Sequence, residues 1–146
     1  ILAPEMLALA PLGGVNLHPS LLPGHRGPMP AFWMLAEDPA AAGISLHRLS
    51  PRIDAGALLA QRRVALPPGL SVLEATRRLH LAGLPLLRDL VARLEERDAL
   101  AGTEQPILPY RSFPDATALR GAARRGVALV RAADLRLILP GRAARG

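Results

Sequence analysis

Four prolines and two glycines fall within the twelve residues from Pro19 to Pro30. Proline fixes φ and lacks an N–H, so neither a helix interior nor a central strand can run through such a stretch. Residues 19–30 are therefore a long loop, and the regular structure of the chain must be built on either side of it. Ahead of the loop, Gly13-Gly14 ends the apolar run of Ile1 to Leu12, a short helix or turn with Pro4 near its start. Val15-Asn16-Leu17-His18 then reads as a short extended segment, because Pro19 biases His18 away from helix. Behind the loop, Ala31 to Glu37 carries Phe32, Trp33, Met34 and Leu35 and reads as a short buried helix.

Gly43 to Leu49 alternates as a strand should, with Ile44 and Leu46 on one face, and Ala57 to Leu66 is a second strand candidate closed by Pro67-Pro68-Gly69. Ser71-Val72-Leu73-Glu74 has the spacing of a capping box and opens a helix running toward Glu96, with Leu79, Gly83, Leu90 and Leu94 on one stripe. Pro85 lies inside that pattern and is expected to kink or split the helix. After Gly102 comes an irregular stretch holding Pro106, Pro109 and Pro114. Ala116 to Arg125 reads as a short helix, and Val127 to Leu139 as two β-leaning apolar runs. Strands alternating with helices argue an α/β arrangement.

Several classes of function fall away on composition. The chain has no cysteine, hence no disulfide framework, thiolate metal site or thiol nucleophile. A metal site from His18, His25 and His47 has no helical histidine spacing or acidic cluster to support it. The uncharged stretch from Met6 to Gly24 is interrupted by glycines, prolines and polar groups, so it is no membrane span, and no secretory signal opens the chain. A cytoplasmic location is the plain expectation. The formal charge is +6, and all 18 basic residues are arginine. Up to Leu119, 11 arginines balance 11 acids; from Arg120 onward 7 arginines face Asp134 alone. The excess therefore sits in the tail, which lacks the interleaved aromatics that stack bases, and a nucleic-acid partner is disfavoured.

Two places hold polar groups that the local pattern does not require. Asn16 and His18, at i and i+2 of an extended segment, point to one face. An amide donor beside an imidazole suits acyl transfer, where the amide can bond a developing oxyanion and the imidazole can move a proton. The same residues also serve commonly in turns and as satisfied partners. Asp54, in the loop Ile53-Asp54-Ala55-Gly56, is either a turn aspartate or a carboxylate that the fold brings against Asn16 and His18.

Together these places resemble a known family. Asn16-Leu17-His18-Pro19-Ser20-Leu21-Leu22-Pro23-Gly24-His25-Arg26-Gly27 is similar to the signature of the folate-dependent formyltransferases, which act on methionyl-tRNA, glycinamide ribonucleotide or amino sugars. Asp54, 36 residues after His18, stands where that family has its catalytic aspartate, within an Asp-x-Gly loop. The resemblance spans roughly residues 1–97, with a weaker echo at Tyr110-Arg111-Ser112-Phe113-Pro114. It departs at His25, where the family is usually aromatic, and at Ser50, Arg52 and Ala57, where carboxylate, glycine and aspartate are frequent.

The resemblance implies a partial, three-layer α/β domain with a mixed sheet, its N-terminal strands missing, over residues 1–97, and a C-terminal extension over 98–146 packed on it. It implies Asn16, His18 and Asp54 as catalytic residues. Leu49, Ser50, Pro51, Arg52 and Ile53 would hold the pterin of 10-formyltetrahydrofolate, and Ser20, Leu21, Leu22, Pro23, Arg26 and Gly27 would form the loop lining the site. The expected reaction is formyl transfer to a small amine acceptor such as an amino sugar, without a metal. Methionyl-tRNA is a less favoured acceptor. Deformylation of the same folate and a non-catalytic interaction half-domain are the alternatives. The family's nucleotide-binding-like N-terminal half has no counterpart here. The isolated chain is accordingly expected to transfer little formyl group and to self-associate through an uncovered edge.

Overall fold

A computed structural model describes residues 4–95 and 100–138. Three strands form one sheet in the order β1-β2-β3: β1 is Val15–His18, β2 Gly43–Arg48 and β3 Leu58–Arg63. Every pairing among them is antiparallel, with Asn16 opposite His47 and His18 opposite Ser45. β3 carries an extra residue where Leu46 and His47 pair with Ala60 and Leu58. Such a bulge increases local twist and re-aims side chains beside it. The helices are α1 (Pro4–Ala8), α2 (Pro30–Glu37), α3 (Val72–Ala92), α4 (Ala116–Arg124) and α5 (Leu135–Ile138). Among the described residues no helix is long and apolar enough to cross a membrane.

The helices cover one face of the sheet. Ile44 of β2 sits in a buried cluster with Phe32 and Met34 of α2, Val72 and Leu79 of α3 and Ala122 of α4, and Leu17 of β1 packs against it. Gly83 marks the tightest approach of α3 to the sheet: a Cβ there would stand 2.8 Å from both Ile44 and Leu17 side-chain carbons. The other face of β1 and β2 carries Asn16, His18, Ser45 and His47, and it is covered by loops.

α3 begins where the sequence places it. Ser71 Oγ accepts from the Glu74 amide at 3.0 Å. The Glu74 carboxylate, however, does not reach back to complete the box. Arg77 and Arg78 hold it at 2.7–2.9 Å, and their hydrogen bonds bring its pKa down to about 2. Two more amides of the first turn, Val72 and Leu73, donate to the carbonyls of Ala128 and Leu129 at 2.9 and 3.1 Å. Three of the amides that a helix start leaves open thus have partners, and the helix's own ladder begins with Ala75 donating to the Ser71 carbonyl.

Two expectations are corrected. Pro85 neither splits nor ends α3, which runs unbroken from Val72 to Ala92. Packing of its core stripe against the sheet outweighs the loss of one backbone bond. The run from Val127 forms no strand in the described residues; its carbonyls cap α3, and Ala132 to Ile138 coil into a short 3-10 turn and α5. The end of the predicted helix at Glu96 and the end of this run at Leu139 lie outside the described residues.

Candidate active site

β1 delivers Asn16 and His18 to the loop-covered face, as period-two alternation requires. The β2–β3 loop delivers Asp54 to the same spot. Asn16 Nδ2 lies 3.4 Å from Asp54 Oδ1, and His18 Nδ1 lies 3.6 Å from the same oxygen. The three residues singled out in the sequence therefore converge, although 38 positions separate the first from the last. Asp54 adopts a left-handed backbone with φ of 49°. Aspartate tolerates that region better than most residues, though it still costs roughly 1–2 kcal/mol.

The strain is held in place from three sides. Arg26, only 6% exposed, donates from Nε and Nη2 to the Ile53 carbonyl at 3.2 and 2.6 Å, and from Nη1 to the Leu108 carbonyl at 2.7 Å. Gln105 Nε2 donates to the carbonyls of Asp54 and Gly56 at 3.3 and 2.7 Å. The amide of Gly27 donates to Asp54 Oδ2 at 2.9 Å. Gly27 itself has φ of 107°, and a Cβ on it would stand 2.2 Å from the Arg111 carbonyl. Only glycine permits that approach.

Protonation follows from these neighbours. His18 Nε2 faces the His25 carbonyl at 3.1 Å and so carries the ring proton, which leaves Nδ1 toward Asp54. Burial pushes the imidazole below its ordinary value, against the opposing pull of the Asp54 carboxylate. For Asp54, burial works upward, but its neighbours, among them the Gly27 amide that donates to it, outweigh burial and hold the carboxyl below the ordinary range. The pair at neutral pH is thus an imidazole with a free Nδ1 lone pair beside a carboxylate.

These groups floor an open cleft of about 560 Å³. Leu49, Ser50, Pro51, Arg52 and Ile53 all line it. Of the predicted loop residues, Gly27 alone is among the cleft's lining residues. Ser20 is fully buried and donates to the Gly24 carbonyl. Leu22 is pinned by Ser45 and Gln61, and Arg26 is the clamp described above. Ser20, Leu21, Leu22, Pro23 and Arg26 act as scaffold because the loop folds against β2 before it reaches the cleft.

His47, Pro28, Tyr110 and Phe113 also line the cleft; none was assigned to the site from sequence, although His47 was weighed as a metal ligand and Tyr110 and Phe113 lie in the weaker part of the family resemblance. His47 was visible in principle: it sits on β2 opposite the Ile44 and Leu46 face, two residues from Ser45, in the same arrangement as Asn16 and His18. Tyr110 and Phe113 arrive on a strap formed by residues 103–114. The strap is tied by Thr103 to Leu58, by Arg111 to the Arg26 carbonyl at 2.8 Å and by Trp33 to the Ser112 carbonyl at 3.0 Å. Arg111 also stacks over the Trp33 ring and pairs with Glu37. Nothing local in a Pro-rich stretch announces where it will dock.

Comparison with known proteins places the chain in a family. The profile of the family described as Formyl transferase matches residues 1–90. The chain is 42% identical over 101 residues to a methionyl-tRNA formyltransferase from Roseiflexus castenholzii, covering 69% of this chain and 30% of that protein. It resembles the formyltransferase PseJ from Anoxybacillus kamchatkensis, solved with UDP-4,6-dideoxy-4-formamido-L-AltNAc and tetrahydrofolate (TM-score 0.66, 24% identity, 77% of this chain and 59% of that one). A sugar N-formyltransferase from Shewanella sp FDAARGOS_354 is 28% identical, with a TM-score of 0.56 over 72% of this chain and 42% of that one. The chain thus spans about a third of the length of the curated relative and about three fifths of the first of these structures.

Proposed function

The chain belongs to the formyl transferase family, and from that premise we propose that its cleft serves formyl transfer from 10-formyltetrahydrofolate to a small primary amine. The observation that carries this reading is the meeting of an amide, an imidazole and a carboxylate around Asp54 Oδ1 on the floor of a mostly apolar cleft. In this reading residues 49–53 wall the pterin and present the formyl carbon above Asn16 and His18. The amine nitrogen attacks that carbon, a C–N bond forms, and the formyl oxygen becomes an oxyanion. An N–H of Asn16 donates a hydrogen bond to that oxyanion. The ammonium proton passes to His18 Nδ1, and Asp54 stabilises the imidazolium so formed. Collapse breaks the bond to the folate nitrogen, which takes the proton back and leaves as tetrahydrofolate. One oxyanion donor of this kind supplies about 3 kcal/mol.

An amino sugar carried on a nucleotide is the favoured acceptor, in line with the sugar N-formyltransferases that the fold resembles. Methionyl-tRNA is the second reading, favoured by the 42% identity to the Roseiflexus castenholzii relative. The test presents 10-formyltetrahydrofolate with a UDP- or dTDP-linked amino sugar, with methionyl-tRNA, or with no amine, and follows formylated product by mass spectrometry. Formyl-sugar formation abolished by Asp54→Asn supports the reading. Donor consumed equally without amine would turn it to hydrolysis, and no product with either acceptor would end it.

A further inference from the structure

His47 has no part in the chemistry above, yet it is only 1% exposed and stands in the middle of the cleft wall. Its Nδ1 lies 2.8 Å from the Arg48 carbonyl. A carbonyl only accepts, so Nδ1 carries the proton and Nε2 of the neutral ring is a lone pair. That lone pair lies 3.2 Å from Asn16 Nδ2, and the Asp54 oxygen lies 3.4 Å from the same atom. Two acceptors therefore converge on one end of the amide. An amide oxygen in that position would face both, lone pair against lone pair. The amide must keep its NH₂ end inward.

We propose that His47 is a positioning residue for formyl transfer: its Nε2 lone pair fixes which end of the Asn16 amide faces the reacting oxygen. The proposal rests on the functional reading above, since it assigns the amide's spare N–H to the oxyanion. One N–H is held by His47. The other leans on Asp54 at a distance long for an N–H···O bond, and it is the one an incoming formyl oxygen can take. The cross-strand pairing of Asn16 with His47 sets this geometry, and the bulge beside His47 turns the ring into place. The tautomer is in turn set by a backbone carbonyl, which no side-chain substitution at position 48 removes.

The chain offers a direct probe, because Asn16 is its only asparagine. Nitrogen-15 labelling of asparagine gives one side-chain NH₂ pair, and labelling histidine as well allows a coupling across an N–H···N bond to be sought. We expect that coupling between Asn16 Nδ2 and His47 Nε2, with His47 as the Nδ1–H tautomer, and its loss in His47→Leu. In transfer assays His47→Leu should lower kcat by about 10²–10³-fold, the loss of one oxyanion donor, and leave the KM for the folate within about threefold. His47→Gln, which can turn an oxygen toward the amide, should recover most of kcat. A folded wild-type protein with the Nε2–H tautomer and no coupling overturns the proposal. So does a folded His47→Leu variant with wild-type kcat. A wild type that shows the coupling and transfers no formyl group fails the functional reading instead, and shows that the amide is held for some other purpose.

Discussion

The two faces of β2 are equally dry and differ in almost everything else. Ile44 and Ser45 are both 0% exposed, and Leu46 and His47 both 1%. Ile44 is surrounded by aliphatic and aromatic carbon. Ser45 Oγ donates to the Ser20 carbonyl at 2.6 Å and accepts from the Leu22 amide and Gln61 Nε2 at 3.0 and 2.8 Å. On the helix side burial is itself the stabilising event, and shape can be adjusted within limits. On the loop side burial is tolerable only while each polar group keeps its partners. Mutations on the helix face should move stability and spare the chemistry, whereas on the loop face changes to cleft residues should move the chemistry and loss of a buried bonding partner should move stability.

The strongest attempt to break that contrast is Asp54→Asn. It keeps shape and removes charge, so formyl transfer should fall by about 10²–10⁴-fold, with a melting temperature close to wild type. A large loss of stability would mean that the carboxylate chiefly holds the fold. The opposite extreme is Phe32→Ala on the helix side, expected to cost about 3–5 kcal/mol in urea denaturation. The molecules that remain folded should bind 5-formyltetrahydrofolate as the wild type does. A large change in their folate affinity would show that the two faces are coupled.

Ser45→Ala sharpens the comparison. It deletes one oxygen and removes the partner of the buried Leu22 amide and the buried Ser20 carbonyl, for an expected cost of about 1–3 kcal/mol. A negligible cost would mean that water replaces the hydroxyl. Ser71→Ala should cost about 0.5–2 kcal/mol, because its hydroxyl caps α3 by accepting from the Glu74 amide.

Acidity offers a last and milder contrast. Asp54 is held below its ordinary range, so its contribution is full above the unfolded aspartate value and disappears as pH falls through the lowered one. His18 is also lowered, so the unfolded chain takes up its proton first, and stability falls as pH drops below the ordinary histidine value. Denaturation midpoints should be flat above about pH 6.5 and decline below it. In Asp54→Asn the carboxylate part of that decline should be gone. An unchanged acid limb would contradict the placement of Asp54 beside the two rings.

Much of this was legible in the sequence where a residue's role is set by its near neighbours. The 19–30 loop, the alternation of β1 and β2 and the start of α3 all follow from proline, period-two patterning and a serine cap. Asn16 and His18 were legible because two positions on one strand must share a face. Asp54 came through its resemblance to a family rather than through local chemistry. Tyr110, Phe113 and Gln105 were not legible, since their roles depend on where an irregular strap docks, and that is decided by carbonyls contributed from loops far away in sequence. Pro85 misled for a related reason: tertiary packing along α3 outweighs a local preference.

The clamp made by Arg26 has a consequence for how the molecule is born. Its bond to the Leu108 carbonyl joins residues 82 positions apart, whereas the helix-side core is nearly complete once α3 exists. Chains emerge from the ribosome N-terminus first, and contacts that close long loops form late. The nascent chain would therefore own a sheet and an apolar core well before it owns a cleft. Asp54 would take up its left-handed backbone only once the strap that supplies Gln105 and the Leu108 carbonyl has been translated.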